Sequence, residues 1–179
     1  MKAGSVAVGA LSAILAALVT LAGPPDDTGY LKQVGLEAEI KAGVRVRITD
    51  TQIAHSVSSH TGGQVRDGWG QCYLVVSYEV VSHAAGGGFD WTLISGEKSY
   101  RTTDMPFAKG IGFTARSMAP FLIPCDRIAG ARLRTESIGS LYSYHWITEF
   151  DLGLTPERVA GMEIQDMIAL AAEEQEGIA

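Results

Sequence analysis

The run Gln71-Cys72-Tyr73-Leu74-Val75-Val76-Ser77-Tyr78-Glu79-Val80-Val81 carries the clearest structural pattern in the chain. Cys72, Leu74, Val76, Tyr78 and Val80 recur at every second residue, while Ser77 and Glu79 fall on the other face. A period of two marks a strand with one face in a core, and Val and Tyr suit a pleated surface. Val44, Val46 and Ile48 repeat the pattern, alternating with Arg45, Arg47 and Thr49. Residues 89–94 and 98–103 flank Ser95-Gly96-Glu97, which predicts a hairpin with a glycine-containing turn. Further strands are expected over 119–124, 130–135 and 142–152, with polar or glycine-rich loops over 55–70, 84–88 and 104–112. Strands separated by turn signals, with no helical period between Leu36 and Leu154, predict an antiparallel β-sandwich over 36–154.

Composition narrows the function classes. Of the 179 residues 46% are hydrophobic and 19% charged, which provides for a core and excludes a wholly disordered chain. Twenty acids against fourteen Lys and Arg give a net charge of −6, the wrong sign for a nucleic-acid binder that must displace counterions. Two cysteines cannot staple a miniprotein, and they do not form a CxxC. Cys72 shares parity with Leu74 and Val76, and Cys125 with Phe121 and Ile123. Both thiols can therefore enter one core, either as a disulfide in an oxidising compartment or as two buried free thiols.

Residues 3–25 contain no charge, and 6–21 are mostly Ala, Val, Leu and Ile. About 20 helical residues cross a bilayer core. Lys2 in front, with Asp26 and Asp27 behind, orients such a segment with everything after Pro25 outside. Segment 1–25 is thus expected to be a signal anchor, or a signal peptide cut after Ala22, followed by a linker over 26–35. The chain is placed at the cell membrane as a single-pass protein with its C-terminal domain outside, or secreted if cleaved. No Cys follows the apolar run, which excludes a lipoprotein anchor, and there is no twin-Arg.

Cys72-Tyr73-Leu74-Val75-Val76-Ser77-Tyr78-Glu79-Val80 precedes the hairpin Asp90-Trp91-Thr92-Leu93-Ile94-Ser95-Gly96-Glu97-Lys98-Ser99-Tyr100. Phe121-Leu122-Ile123-Pro124 then leads into Ile128-Ala129-Gly130-Ala131-Arg132-Leu133, and the run closes on Phe150-Asp151-Leu152-Gly153-Leu154. That order resembles the telokin-like, immunoglobulin-like domains of unknown function in exported proteins of Gram-positive bacteria, especially actinobacteria. The resemblance implies an immunoglobulin-like sandwich and carries over no catalytic residue.

Thr155-Pro156-Glu157 reads as a helix start, with Thr as N-cap and Pro at the first helical position. Ala160, Ile164, Met167, Ile168 and Ala171 then recur at helical spacing, predicting an acidic amphipathic helix over 155–179. From Thr155 onward six acids meet one Arg, so this tail holds nearly all of the net charge. Its stripe of Ile164, Met167, Ile168 and Ala171 packs either on the sandwich or on a partner protein.

The chain holds no GxSxG, SxxK or HExxH. His55 and His60 in a serine-rich loop offer at most two imidazoles to a metal, and His83 and His145 stand apart. No catalytic or metal-ligating residue and no cofactor is assigned. Arg45 and Arg47 alternate on one strand and Arg132 and Arg134 on another. If those strands are neighbours, four guanidinium groups share an outer face that could bind an anionic ligand or the chain's own tail; otherwise each pair is an ordinary charged solvent face. The sequence therefore predicts a non-enzymatic, membrane-anchored extracytoplasmic interaction module, an accessory subunit of a membrane or envelope complex. The alternative is a secreted carrier of a small ligand or metal.

Overall fold

The computed structural model describes residues 30–41, 43–58, 64–66, 70–83, 87–102, 107–108, 112–137, 146–170 and 174–177. The first five strands are β1 (Tyr30–Val34), β2 (Glu37–Lys41), β3 (Val44–Ala54), β4 (Ser56–Ser58) and β5 (Gln64–Arg66). Then follow β6 (Gln71–Ser82), β7 (Gly87–Gly88), β8 (Asp90–Ser95), β9 (Lys98–Arg101), β10 (Phe107–Ala108) and β11 (Phe113–Pro124). The chain closes with β12 (Arg132–Ser137), β13 (Trp146–Asp151), helix α1 (Pro156–Ala160), β14 (Ile164–Gln165), β15 (Ile168–Ala169) and β16 (Glu174–Gly177).

These strands form one sheet of order β1-β13-β12-β8-β9 and a larger one of order β14-β3-β6-β11-β16, with β2 also on β3. Two small sheets, β10-β7 and β15-β4-β5, complete the pairing. The inward residues of both large sheets share one core. Leu74, Val76, Tyr78, Phe121 and Ile123 of the larger sheet cluster with Trp91, Leu93, Leu133 and Phe150 of the smaller. Trp91 lies at the seam. Its ring is edge-on to Tyr78 at 5.2 Å, Phe89 at 5.2 Å and Phe150 at 6.0 Å between centroids. Aromatic pairs favour this T-shaped arrangement because a positive ring edge meets a negative face.

The β8–β9 hairpin pairs Ser95 with Lys98 around Gly96-Glu97, and Gly96 has φ +57°. A two-residue turn with glycine at its first central position matches the strand twist. β3 is longer than the sequence alternation suggests because a register shift between Ile48 and Asp50 skips Thr49. The shift moves the inward set from the even positions Val44, Val46 and Ile48 to the odd positions Thr51 and Ile53.

Four expectations are corrected. The sandwich is not purely antiparallel: β1 runs parallel to β13, β14 to β3 and β15 to β4. These are terminal segments added at edges, where no tight hairpin dictates direction. The linker expected over 26–35 already pairs from Tyr30, as β1. The tail is not a helix over 155–179, since α1 ends at Ala160 and three short strands follow. Thr155 caps α1, its Oγ1 accepting from the Arg158 amide at 3.2 Å, and Gly161 follows the last turn. Glycine is a poor helix continuer, and a short helix in water is marginal, so pairing with a sheet wins. The loop expected over 55–70 contains β4 and β5. Among the described residues no helix is long and apolar enough to cross a membrane. The anchor expected over 1–25 lies outside the described residues.

Candidate functional site

Cys72 opens β6, and Cys125 follows the last residue of β11. Ile123 is the register partner of Cys72, so Cys125 lies two positions diagonal to it on the same face. The two are joined as a disulfide with their Cα atoms 5.1 Å apart. The bridge links neighbouring strands of one sheet, unlike the immunoglobulin bridge between facing sheets. It holds the start of β6 to the turn Cys125–Arg127.

The four arginines are not brought together. β3 lies in the larger sheet and β12 in the smaller, so Arg45 and Arg47 are on a different outer face from Arg132 and Arg134. Each pair is also matched by acid. Arg132 and Arg134 bind Glu149 at 2.9 and 2.7 Å, and this carboxylate is only 2% exposed. Arg47 binds Glu79 at 2.7 Å, and Arg116 closes on its other oxygen at 3.0 Å. Arg45 meets Glu37 at 3.6 Å, with both side chains exposed. Arg116 was not singled out in the sequence. Its signal was available only as a register, since Glu79 is opposite Arg47 on one side and Arg116 on the other.

That register extends across the larger sheet. Glu37 pairs with Arg47, Arg47 with Glu79 and Glu79 with Arg116, which places charges of alternating sign in one row over four strands. Opposite charges directly across strands stabilise pairing and select register. The acidic tail does return to the domain, but as β16 on β11 opposite Arg116, and not on the four arginines named from sequence. Burial of Glu79 alone would raise its carboxyl pKa; hydrogen bonds and charge from Arg116 and Arg47 outweigh that and hold it below its ordinary value.

Beyond this row the outer face of the larger sheet turns apolar. Ala54, Tyr73 and Val75 form a second cluster with Val57 of β4 and Ile168 of the tail, and Met118 and Leu170 pack beside them. Hydrogen bonds fasten the tail there. Ser56 Oγ donates to the Asp166 carbonyl at 2.7 Å, the His55 amide to Gln165 at 2.9 Å and the Leu170 amide to Ser58 at 2.9 Å. The expected stripe is thereby split: Ile168 is 5% exposed, whereas Ile164 and Met167 are 46% and 45% exposed. Ala171 lies outside the described residues. A strand and its turns send neighbouring residues to opposite sides, where a helix would have aligned them.

Among the described residues no group of three or more His, Cys, Asp or Glu is placed to hold a metal. His55 and His83 are both exposed, and His60 and His145 lie outside the described residues.

No protein-family model matches the chain. No curated protein matches it. A solved structure of an uncharacterised β-sandwich protein from Clostridium difficile is similar at 10% identity and a TM-score of 0.43, covering 72% of this chain and 99% of that one. The sandwich architecture described here rests on the shared core of the two large sheets.

Proposed function

We propose that the protein is a non-enzymatic extracytoplasmic interaction module of immunoglobulin-like type, tethered to the membrane by segment 1–25 and serving as an accessory subunit of a membrane or envelope complex. The observation that carries this reading is the split tail. Ile168 pins the tail to the domain, while Ile164 and Met167 stand about half exposed on the same strap. Large apolar side chains fixed outward on a fastened segment suit a partner's apolar surface better than they suit water. The Cys72–Cys125 disulfide supports the compartment, because such bridges persist where the medium is oxidising. The uncharged run over 3–25 supports the tether.

The test is purification of tagged full-length protein from detergent-solubilised membranes of its own organism, in wild-type and Ile164→Glu/Met167→Glu forms. A membrane protein recovered in stoichiometric amount with the wild type, and lost with the double variant at unchanged stability, is the expected result. Recovery of the wild type alone, or in the culture fluid, overturns it.

A further inference from the structure

The two large sheets arrange their outward charges differently. On the larger one Arg47, Glu79 and Arg116 alternate in sign from strand to strand and are joined as ion pairs. On the smaller one the charges are sorted by row. In one row Glu136 of β12 is the register partner of Asp90 on β8. Both are exposed, and neither has an ion-pair partner among the described residues. In the next row, two residues along each strand, Arg134 of β12 is opposite Thr92 of β8, and Thr92 is opposite Arg101 of β9. Arg101 is likewise exposed and unpaired among the described residues. Arg132 follows one row further on. The acids beside these arginines are on β13. Glu149 takes both Arg132 and Arg134, and Asp151 accepts from the Gly153 amide at 2.8 Å.

Like charges directly opposite each other in a sheet are destabilising, so Asp90 and Glu136 gain from a cation brought to them. The same face displays such cations one row away, about 7 Å along the strands. A two-fold axis lying in the face, and crossing the strands between the two rows, turns a second copy so that each row meets the other. Glu136 then meets the partner's Arg134. Asp90 comes opposite the partner's Thr92, one strand spacing of about 5 Å from the partner's Arg101. Both contacts occur twice, as in any isologous pair. Arg134 has a donor to give, since its Nε and Nη2 serve Glu149 and a guanidinium has a second terminal nitrogen, Nη1. Leu31, half exposed, and Ile147 continue the acidic row toward β1 and add apolar area.

We propose that the outer face of the smaller sheet is a self-association surface. A second copy of this chain docks there about a two-fold axis, with Asp90 and Glu136 of one protomer against Arg101 and Arg134 of its partner. The face has five strands. At about 4.8 Å per strand and about 3.3 Å per residue it is roughly 20 Å square. That is the low end for specific interfaces, so the dimer is a weak, reversible one.

The test is sedimentation velocity of the full-length protein over a concentration series, in detergent where segment 1–25 is retained. A reversible dimer is expected, and it weakens as salt is raised from about 0.05 to about 0.5 M because exposed ion pairs are screened. Asp90→Lys and Arg101→Glu are each expected to weaken self-association about tenfold or more, since each sets like charges against each other across the axis. An equimolar mixture of the two variants is expected to recover the wild-type affinity, because each then meets its opposite charge. Both positions are exposed and unpaired among the described residues, so the melting temperature should stay near that of the wild type. A wild type that is monomeric at every concentration overturns the proposal, whatever the variants do. So does a dimer indifferent to both substitutions, as one held together through segment 1–25 would be. A mixture that stays monomeric overturns the two-fold arrangement and with it the proposal.

Discussion

Glu79 and Glu149 each take two guanidinium groups, and the burial of the acid decides what the loss of an arginine costs. Glu149 is almost wholly buried, so Arg134→Met removes one of its two guanidinium partners where water cannot replace it and is expected to cost about 1–3 kcal/mol by urea denaturation. Arg45 and Glu37 are both exposed at 3.6 Å, so Arg45→Met is expected to change stability by less than about 0.5 kcal/mol. Equal effects at the two sites would contradict the burial difference. Glu79 adds a pH dependence. Its carboxyl pKa is lowered in the folded state from an ordinary 4.5, so its contribution is complete above that value and is lost as pH falls through the lowered one. Denaturation from pH 6 downward should therefore show an acid-side loss that is smaller in Glu79→Gln than in the wild type. Arg45, Arg47, Glu79 and Arg134 were readable as strand charges. Which carboxylate each arginine meets was not, because pairing joins residues as far apart as Arg47 and Glu79.

At the scale of elements, the tail separates two readings of one sequence. In a helix, Ile164 and Ile168 are four apart on one face and truncating either would cost alike. In the strap, Ile168 is buried beside Val57 and Tyr73 while Ile164 is half exposed. Ile168→Ala is therefore expected to cost about 2–4 kcal/mol and Ile164→Ala less than about 1 kcal/mol in thermal or urea melts. The disulfide is the second element-level tie. It closes a loop of 53 residues, and replacing both cysteines by Ser is expected to destabilise by about 2–4 kcal/mol. β11 shows how an edge is managed. Among the described residues β16 pairs with it at Phe113–Arg116, and Pro120 and Pro124 lie beyond that pairing. Twelve unbroken pairs with β6 require that these prolines turn their missing N–H away from it.

For the whole molecule, the compartment is the property most directly open to measurement. Full-length protein taken from its own organism under non-reducing conditions should show no thiol reactive to an alkylating reagent after denaturation; two reactive thiols would oppose export. That this is a β domain with a core drawn from alternating residues is legible in the chain alone, because side-chain period is a local property of a strand and each strand carries its own pattern. So are the hairpin at Gly96 and the capped start of α1, both set by a few adjacent residues. Which strands become neighbours is a matter of the assembled fold, and with it the sorting of Arg45 and Arg47 from Arg132 and Arg134, the charge row through Glu79 and the fate of the tail. Those outcomes depend on surfaces brought together from distant parts of the chain. The stripe of Ile164, Met167 and Ile168 could satisfy a helix by spacing alone, but the apolar cluster of Ala54, Tyr73 and Val75 that buries Ile168 exists only once β3 and β6 have paired.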